Sequence, residues 1–128
     1  MKLKFYPVWR ALGGITEIEA AGVQYVREKD QTAVWIDARE PAEFTANPIP
    51  NARNLPLSGV KPGKDVGEVK KAKDDGRLPM EDHNTRIIVF GRDGAQAKGV
   101  AEAIAREAFH NVSYFAGPPE KLRTAAVR

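Results

Sequence analysis

The apolar residues fall into short unbroken runs, separated by longer segments in which apolar and polar positions alternate with helical spacing. Ala33-Val34-Trp35-Ile36 and Ile87-Ile88-Val89-Phe90 are continuous runs of the kind that form strands buried on both faces. Arg53 to Leu57 and Val112 to Phe115 read as further short strands. Thr16 and Glu19 have the spacing of a capping box, in which a hydroxyl and a carboxylate satisfy each other's backbone donors. They predict a helix from there to about Lys29, with Ile18, Ala21, Tyr25 and Val26 as its apolar face and Gly22 weakening it. From Gln96 to Phe109 the helical period is clean. Ala97, Val100, Ala101, Ile104, Ala105 and Ala108 share one stripe, and Glu102 and Arg106 support the exposed face from four residues apart.

Connections are marked by breakers. Pro41 suits a first helical position and predicts a short helix. Asn47-Pro48-Ile49-Pro50-Asn51 must be extended or turning, because proline also restricts its predecessor. Lys61 to Gly67 reads as a loop, Val66 to Lys73 as a helix and Gly76 to Asn84 as a surface loop. Gly117-Pro118-Pro119 ends the last strand, and a final helix is expected over Glu120 to Val127. Residues 1–14 read as an arm ending at Gly13-Gly14, and residues 15–128 as one domain. Short apolar strands alternating with helices predict an α/β fold, with a central, mainly parallel sheet and helices on both faces.

A chain of 128 residues is enough for one such domain without a disulfide or metal staple. Lys plus Arg is 20 and Asp plus Glu is 17, so the net charge is only +3. The densest basic cluster, Lys70, Lys71 and Lys73, is followed at once by Asp74 and Asp75 and reads as a solvated helix face. Nucleic-acid binders carry a concentrated basic stripe instead, so no nucleic-acid partner is expected. No run approaches the roughly 20 apolar residues of a membrane helix, and the run within Met1 to Trp9 is too short for a signal-peptide core. The expected compartment is the cytoplasm, or the periplasm if a leader has been removed. Trp9 and Trp35 read as core or near-core residues.

Cysteine is the residue that changes the picture, because there is none. Disulfides, cysteine–zinc sites, iron–sulfur clusters and thiol nucleophiles are all excluded. His83 and His110 lie far apart, with no acidic cluster to complete a metal site, and read as solvated; neither a metal nor a cofactor is expected.

Ligands of parallel sheets bind beyond the carboxyl ends of the strands. Two such ends stand out, Asp37-Ala38-Arg39 and the polar turn from Gly91 to Ala97. The turn leads into a helix N-terminus, whose unpaired N–H groups and partial positive charge favour an anion. Gly91, Arg92, Asp93, Gly94, Ala95, Gln96 and Ala97 form the candidate anion cradle, in which Gly91 and Gly94 would allow positive φ or close backbone approach. Neither a Walker A loop nor G-x-G-x-x-G fits the spacing. Asp37 and Arg39 read as an ion pair that orders loops.

Four segments in order resemble the rhodanese-like domains. Trp35-Ile36-Asp37-Ala38-Arg39-Glu40-Pro41-Ala42-Glu43-Phe44 is similar to that family's strand with its Asp-x-Arg-x-x-x-Glu-Phe/Tyr pattern. Ile49-Pro50-Asn51-Ala52-Arg53-Asn54-Leu55-Pro56-Leu57 is similar to its Ile-Pro-Gly-Ala segment and following strand. Ile87 to Phe90 with Gly91 to Ala97 resembles its strand and active-site loop, and Val112 to Gly117 its last strand and turn. The resemblance spans about Ile15 to Leu122.

It implies a loop that, in active members, begins with cysteine. A thiolate at a helix N-terminus has a lowered pKa, takes a sulfane sulfur as a persulfide and passes it on. The matching position here is Gly91. The sixth loop position, often arginine in active members, is Gln96. The family's Gly-His before Ile-Pro-Gly-Ala is Asn47-Pro48. Arg92 remains but is offset by Asp93, and Lys98 is the other nearby cation. The expectation is therefore a module without sulfurtransferase activity that acts in regulation, in sensing or through an unidentified protein partner. A second reading is a binder of small anions such as sulfate, thiosulfate or phosphate at Gly91 to Gln96. A third is unrelated acid–base chemistry on Asp37, Asp82 or Asp93. A protein with this fold could carry the name sulfurtransferase on its fold alone.

Overall fold

The computed structural model describes residues 15–60, 67–120 and 122. The expectations for an arm at 1–14, for residues 61–66 and for the end of the last helix lie outside these residues, as does Trp9. The described elements are β1 (Thr16–Ile18), α1 (Ala20–Lys29), β2 (Val34–Asp37), α2 (Pro41–Ala46), β3 (Ala52–Asn54), a 3-10 turn (Leu57–Gly59), α3 (Glu68–Asp75), β4 (Ile87–Phe90), α4 (Gly94–Ala105) and β5 (Val112–Phe115). The strands form one sheet in the order β1-β5-β4-β2-β3, with every pairing parallel.

The strand period of two divides the core between the faces of this sheet. Along β4, Ile87 and Val89 pack with Val69 and Ala72 of α3 and with Ala97, Val100, Ala101 and Ile104 of α4. Ile88 and Phe90 point to the opposite face, where they meet Val23 and Val26 of α1, Trp35, Ile49, Phe115 and Leu122. All four β4 residues are fully buried, as expected of the central strand of a covered parallel sheet. Thus the unbroken run Ile87–Phe90 serves two cores, and helices cover both faces.

Several local expectations are corrected. Thr16 does not cap a helix. It lies in β1, in register with Ser113, and the helix cap is Glu19, which makes no side-chain cap bond. A strand ladder and the packing of Ile15 and Ile18 against opposite cores outweigh one local cap. Gly22 has a packing reason: a Cβ there would lie 2.7 Å from Ile18 Cγ1. The third strand is Ala52–Asn54, not Arg53 to Leu57, and Leu55 turns into the core instead. The helix placed at Val66 to Lys73 runs from Glu68 to Asp75, between Gly67 and Gly76 at φ 95° and 90°. These left-handed positions favour glycine and fix both ends. The loop after it is not wholly superficial, because Leu78 is in the core. The helix expected to reach Phe109 stops at Ala105, and Ala108 takes φ 72°, leaving the apolar stripe for an exposed turn. His83 is not simply solvated: its ring stacks on Phe109 at 4.2 Å and its Nδ1 lies 3.1 Å from the Ala108 carbonyl.

Candidate functional site

Beyond β4 the chain makes a shorter connection than the expected turn from Gly91 to Ala97. Helix α4 already begins at Gly94, so only Gly91, Arg92 and Asp93 join strand to helix. The cause is Asp93 itself. Its backbone is extended (φ −150°, ψ 176°), and its carboxylate Oδ1 accepts the Gln96 N–H at 2.9 Å, which caps the helix. A carboxylate at this end also answers the helix dipole.

Gln96 closes the turn from the other side. Its Oε1 accepts the Arg92 N–H at 2.7 Å, and the residue is buried at 5% exposure. A Cβ built on Gly91 would lie 2.7 Å from that oxygen and 3.4 Å from the Ala97 nitrogen. The amide oxygen of Gln96 therefore fills the volume that a side chain at Gly91 would enter. Neither Gly91 nor Gly94 has positive φ; among the described residues, Gly67 and Gly76 are the glycines that do. Both serve close approach instead. A Cβ on Gly94 would meet Ala116 Cβ at 3.1 Å, where the helix packs on the turn after β5.

Of the remaining loop residues, Ala97 is buried in the α4 core, while Arg92, Asp93, Ala95 and Lys98 are exposed. Arg92 Nη1 donates to Glu43 Oε1 of α2 at 2.8 Å, bridging the turn to the neighbouring helix. Half-exposed pairs of this kind add little stability, but this one spends the cation that stands nearest the turn on a carboxylate of the same chain.

Asp37 and Arg39 meet at the end of β2, both buried. Arg39 Nε and Nη2 donate to the Asp37 carboxylate at 2.8–3.1 Å, and the Arg39 N–H donates to Oδ1 at 2.9 Å. The same guanidinium donates to the Asn47 carbonyl at 2.8 Å. Asn54 Nδ2 donates to the carbonyls of Asp37 and Arg39 at 2.9 and 2.8 Å. The pair thereby ties the ends of β2, α2 and β3 together. Asp82 lies in the turn before β4, where its Oδ1 accepts the Asn84 N–H, so β4 separates it from Asp93. Among the described residues, no group of three or more histidine, acidic or cysteine side chains is arranged to hold a metal, and no helix is long and apolar enough to cross a membrane.

Residues 23–120 match the family model described as the rhodanese-like domain. The chain belongs to the rhodanese-like family. Solved rhodanese-like folds superpose on it. A rhodanese-like domain from Anabaena sp. does so with a TM-score of 0.66 at 15% identity, covering 87% of this chain and 75% of that one. A single-domain sulfurtransferase from Saccharomyces cerevisiae does so with a TM-score of 0.65 at 17% identity, covering 87% and 90%. Among curated proteins, the chain is 25% identical over 89 residues to one from Schizosaccharomyces pombe named "Putative thiosulfate sulfurtransferase, mitochondrial". That match covers 69% of this chain and 61% of the relative, so the chain spans less than two thirds of the relative's length. Homologues of this rhodanese-like chain thus bear the name sulfurtransferase, while the chain itself has no cysteine.

The sequence brought attention to Gly91–Ala97 and to Asp37 with Arg39, and the structure places both groups at the carboxyl ends of neighbouring strands β4 and β2. Two features escaped it. Glu43 belongs to the Asp-x-Arg-x-x-x-Glu segment, and nothing in that spacing signals that it partners Arg92 across the turn. Arg27, whose guanidinium sits 4.3 Å from the Trp35 ring centroid, gave no signal, because pairing a helix residue with a strand residue needs the fold.

Proposed function

We propose that this chain is a non-catalytic rhodanese-like module, acting in regulation or by binding a protein partner, with a loop closed by one of its own side chains. The observation that carries this reading is the Gln96 amide oxygen, held 2.7 Å from the Arg92 N–H and occupying the place of a Gly91 side chain. In the family's chemistry a thiolate at that position attacks the sulfane sulfur of thiosulfate. The S–S bond breaks, sulfite leaves, and a persulfide remains. Glycine supplies no nucleophile, and an amide oxygen is too weak a nucleophile to replace one. The relative's name therefore describes chemistry that these residues do not support. A cytoplasmic location is part of the same proposal.

Binding of sulfate, thiosulfate or phosphate in the turn is the lesser reading. Gln96 Oε1 takes the Arg92 N–H, Asp93 Oδ1 takes the Gln96 N–H, and Glu43 takes the Arg92 guanidinium. An incoming anion would have to displace an internal acceptor and approach a carboxylate. Acid–base chemistry on Asp93 has no support from a second titratable partner, as its carboxylate is engaged as the cap.

The test restores the missing group. Gly91→Cys and Gly91→Cys/Gln96→Ala are exposed to thiosulfate and examined by intact-mass spectrometry. The double variant is expected to gain one sulfur atom, the single variant much less, and the native chain none. Equal uptake by single and double variants would show that Gln96 does not close the loop, and thiosulfate turnover by the native chain would end the non-catalytic reading.

A further inference from the structure

A cavity of about 290 Å³ lies at the end of the sheet opposite the Gly91 turn. Trp35, on its wall, is paired with Ile88 near the start of the strands, whereas Gly91 follows their carboxyl ends. Arg27, Asp30, Gln31, Asn51 and Arg53 complete most of the lining. The volume sits at the lower bound of small-molecule sites, on the order of 300 Å³.

Arg27 is the feature of this cavity that its neighbours do not explain. Its guanidinium lies over the Trp35 ring, 4.3 Å from the centroid, yet Nε and Nη2 are closed to solvent and have no hydrogen-bond partner. These two nitrogens form one edge of the guanidinium, the edge that grips a carboxylate or phosphate with two parallel bonds. At Arg39, Arg77 and Arg86 the corresponding edge is answered by a carboxylate: Arg39 on Asp37, Arg77 on Asp75, and Arg86 through Nε on Asp30. Asp30 is thus turned towards Arg86 and Thr32 and is spent before it can serve Arg27. Burial pulls the Arg27 pKa down from its ordinary value, the sign of a charge without compensation. Arg53 also borders the cavity, but it is in register with Ile36, and its Nη1 is drawn to the carbonyls of Gly76 and Arg77 at the end of α3, on the sheet face opposite Trp35.

We propose that Arg27, held over the Trp35 ring, forms a binding site for the oxyanion group of a small molecule, a carboxylate or a phosphate. To present its Nε–Nη2 edge to the cavity the side chain must rotate about its Cγ–Cδ and Cδ–Nε bonds, a movement that no hydrogen bond on that edge opposes. The site is independent of the Gly91–Gln96 turn and needs no sulfur chemistry.

The test is a titration of the native chain with inorganic phosphate and, separately, with succinate, against chloride at matched ionic strength. It is followed by the amide, indole and arginine Nε–H resonances in nitrogen–proton correlation spectra. The expected result is a saturable movement of the Trp35 indole and Arg27 Nε–H signals by at least one of the two anions, with a common Kd. Which anion acts decides between the phosphate and the carboxylate. Arg27→Lys keeps the charge but loses the two-nitrogen edge, and the Kd read from the Trp35 indole should weaken about tenfold or more. The native Arg27 signal carries the test even if that variant folds poorly. No saturable movement with either anion, movement that persists undiminished in Arg27→Lys, or movement confined to the Arg92 amide of the turn would each overturn the proposal.

Discussion

Replacing Gln96 with methionine isolates the role assigned to its amide oxygen. Methionine has nearly the same length and flexibility, so the buried volume is kept while the acceptor is lost. The Arg92 N–H, bonded at 2.7 Å in the native chain, is then left without its partner. Orphaning a buried donor costs about 1–3 kcal/mol, against a net worth of about 1 kcal/mol for the bond itself. The helix cap is untouched, because Asp93 accepts the backbone N–H of residue 96 whatever side chain stands there. At this chain length each kcal/mol moves Tm by roughly 3–5 °C, so a fall of roughly 3–15 °C is expected in a thermal melt. The second half of the reasoning concerns ligands. The Arg92 N–H then has no internal acceptor, and a small anion that reaches it should now stabilise the variant selectively. An anion at 100 times its Kd adds about 2.7 kcal/mol, enough to recover most of the loss. The native chain should show no such anion-specific gain. A variant that melts with the native chain, or anion stabilisation as large in the native chain as in the variant, would refute the reasoning.

Two further outcomes follow from the geometry. Arg39→Met should leave the Asp37 carboxylate buried and uncompensated and cost about 3–5 kcal/mol, read as a lowered midpoint in urea; an unchanged midpoint would deny the pair its role in tying β2, α2 and β3. The Asp30 carboxyl is held below its ordinary pKa by its hydrogen bonds from Thr32 and Arg86. Its stabilising contribution is therefore complete above the unfolded value, about 3.9, and is lost as pH falls through the lower folded value. Asp30→Asn should be less stable than the native chain at neutral pH, and the gap should close on acidification below about pH 4. A gap that widened in acid would reverse the sign of the argument.

The fold was legible where one pattern had one meaning. Ile87–Phe90 reads as a strand buried on both faces because no polar residue interrupts it, and it occupies the centre of the sheet. Thr16 and Glu19 misled because a capping-box spacing is local, whereas β1 exists through residues nearly a hundred positions away in β5. Ala108 misled because helical spacing continues past the point where the chain turns left-handed. At the turn, the sequence exposed the loss of cysteine and the presence of Gln96, but not their connection. That an amide four residues on folds back onto Arg92 N is a matter of side-chain direction, which spacing alone does not carry. The Arg27–Trp35 contact was out of reach for the same reason, since α1 and β2 meet only once the sheet is assembled.

The most direct measurement is thiosulfate:cyanide sulfurtransferase turnover by the purified native chain, free of any added cysteine or thiol. Thiocyanate formation no faster than in the buffer blank is the expected result, because Gly91 offers no sulfur-accepting atom and the Gln96 oxygen fills its place. Sustained, enzyme-dependent thiocyanate production would contradict the account and require a sulfur carrier other than cysteine in this fold.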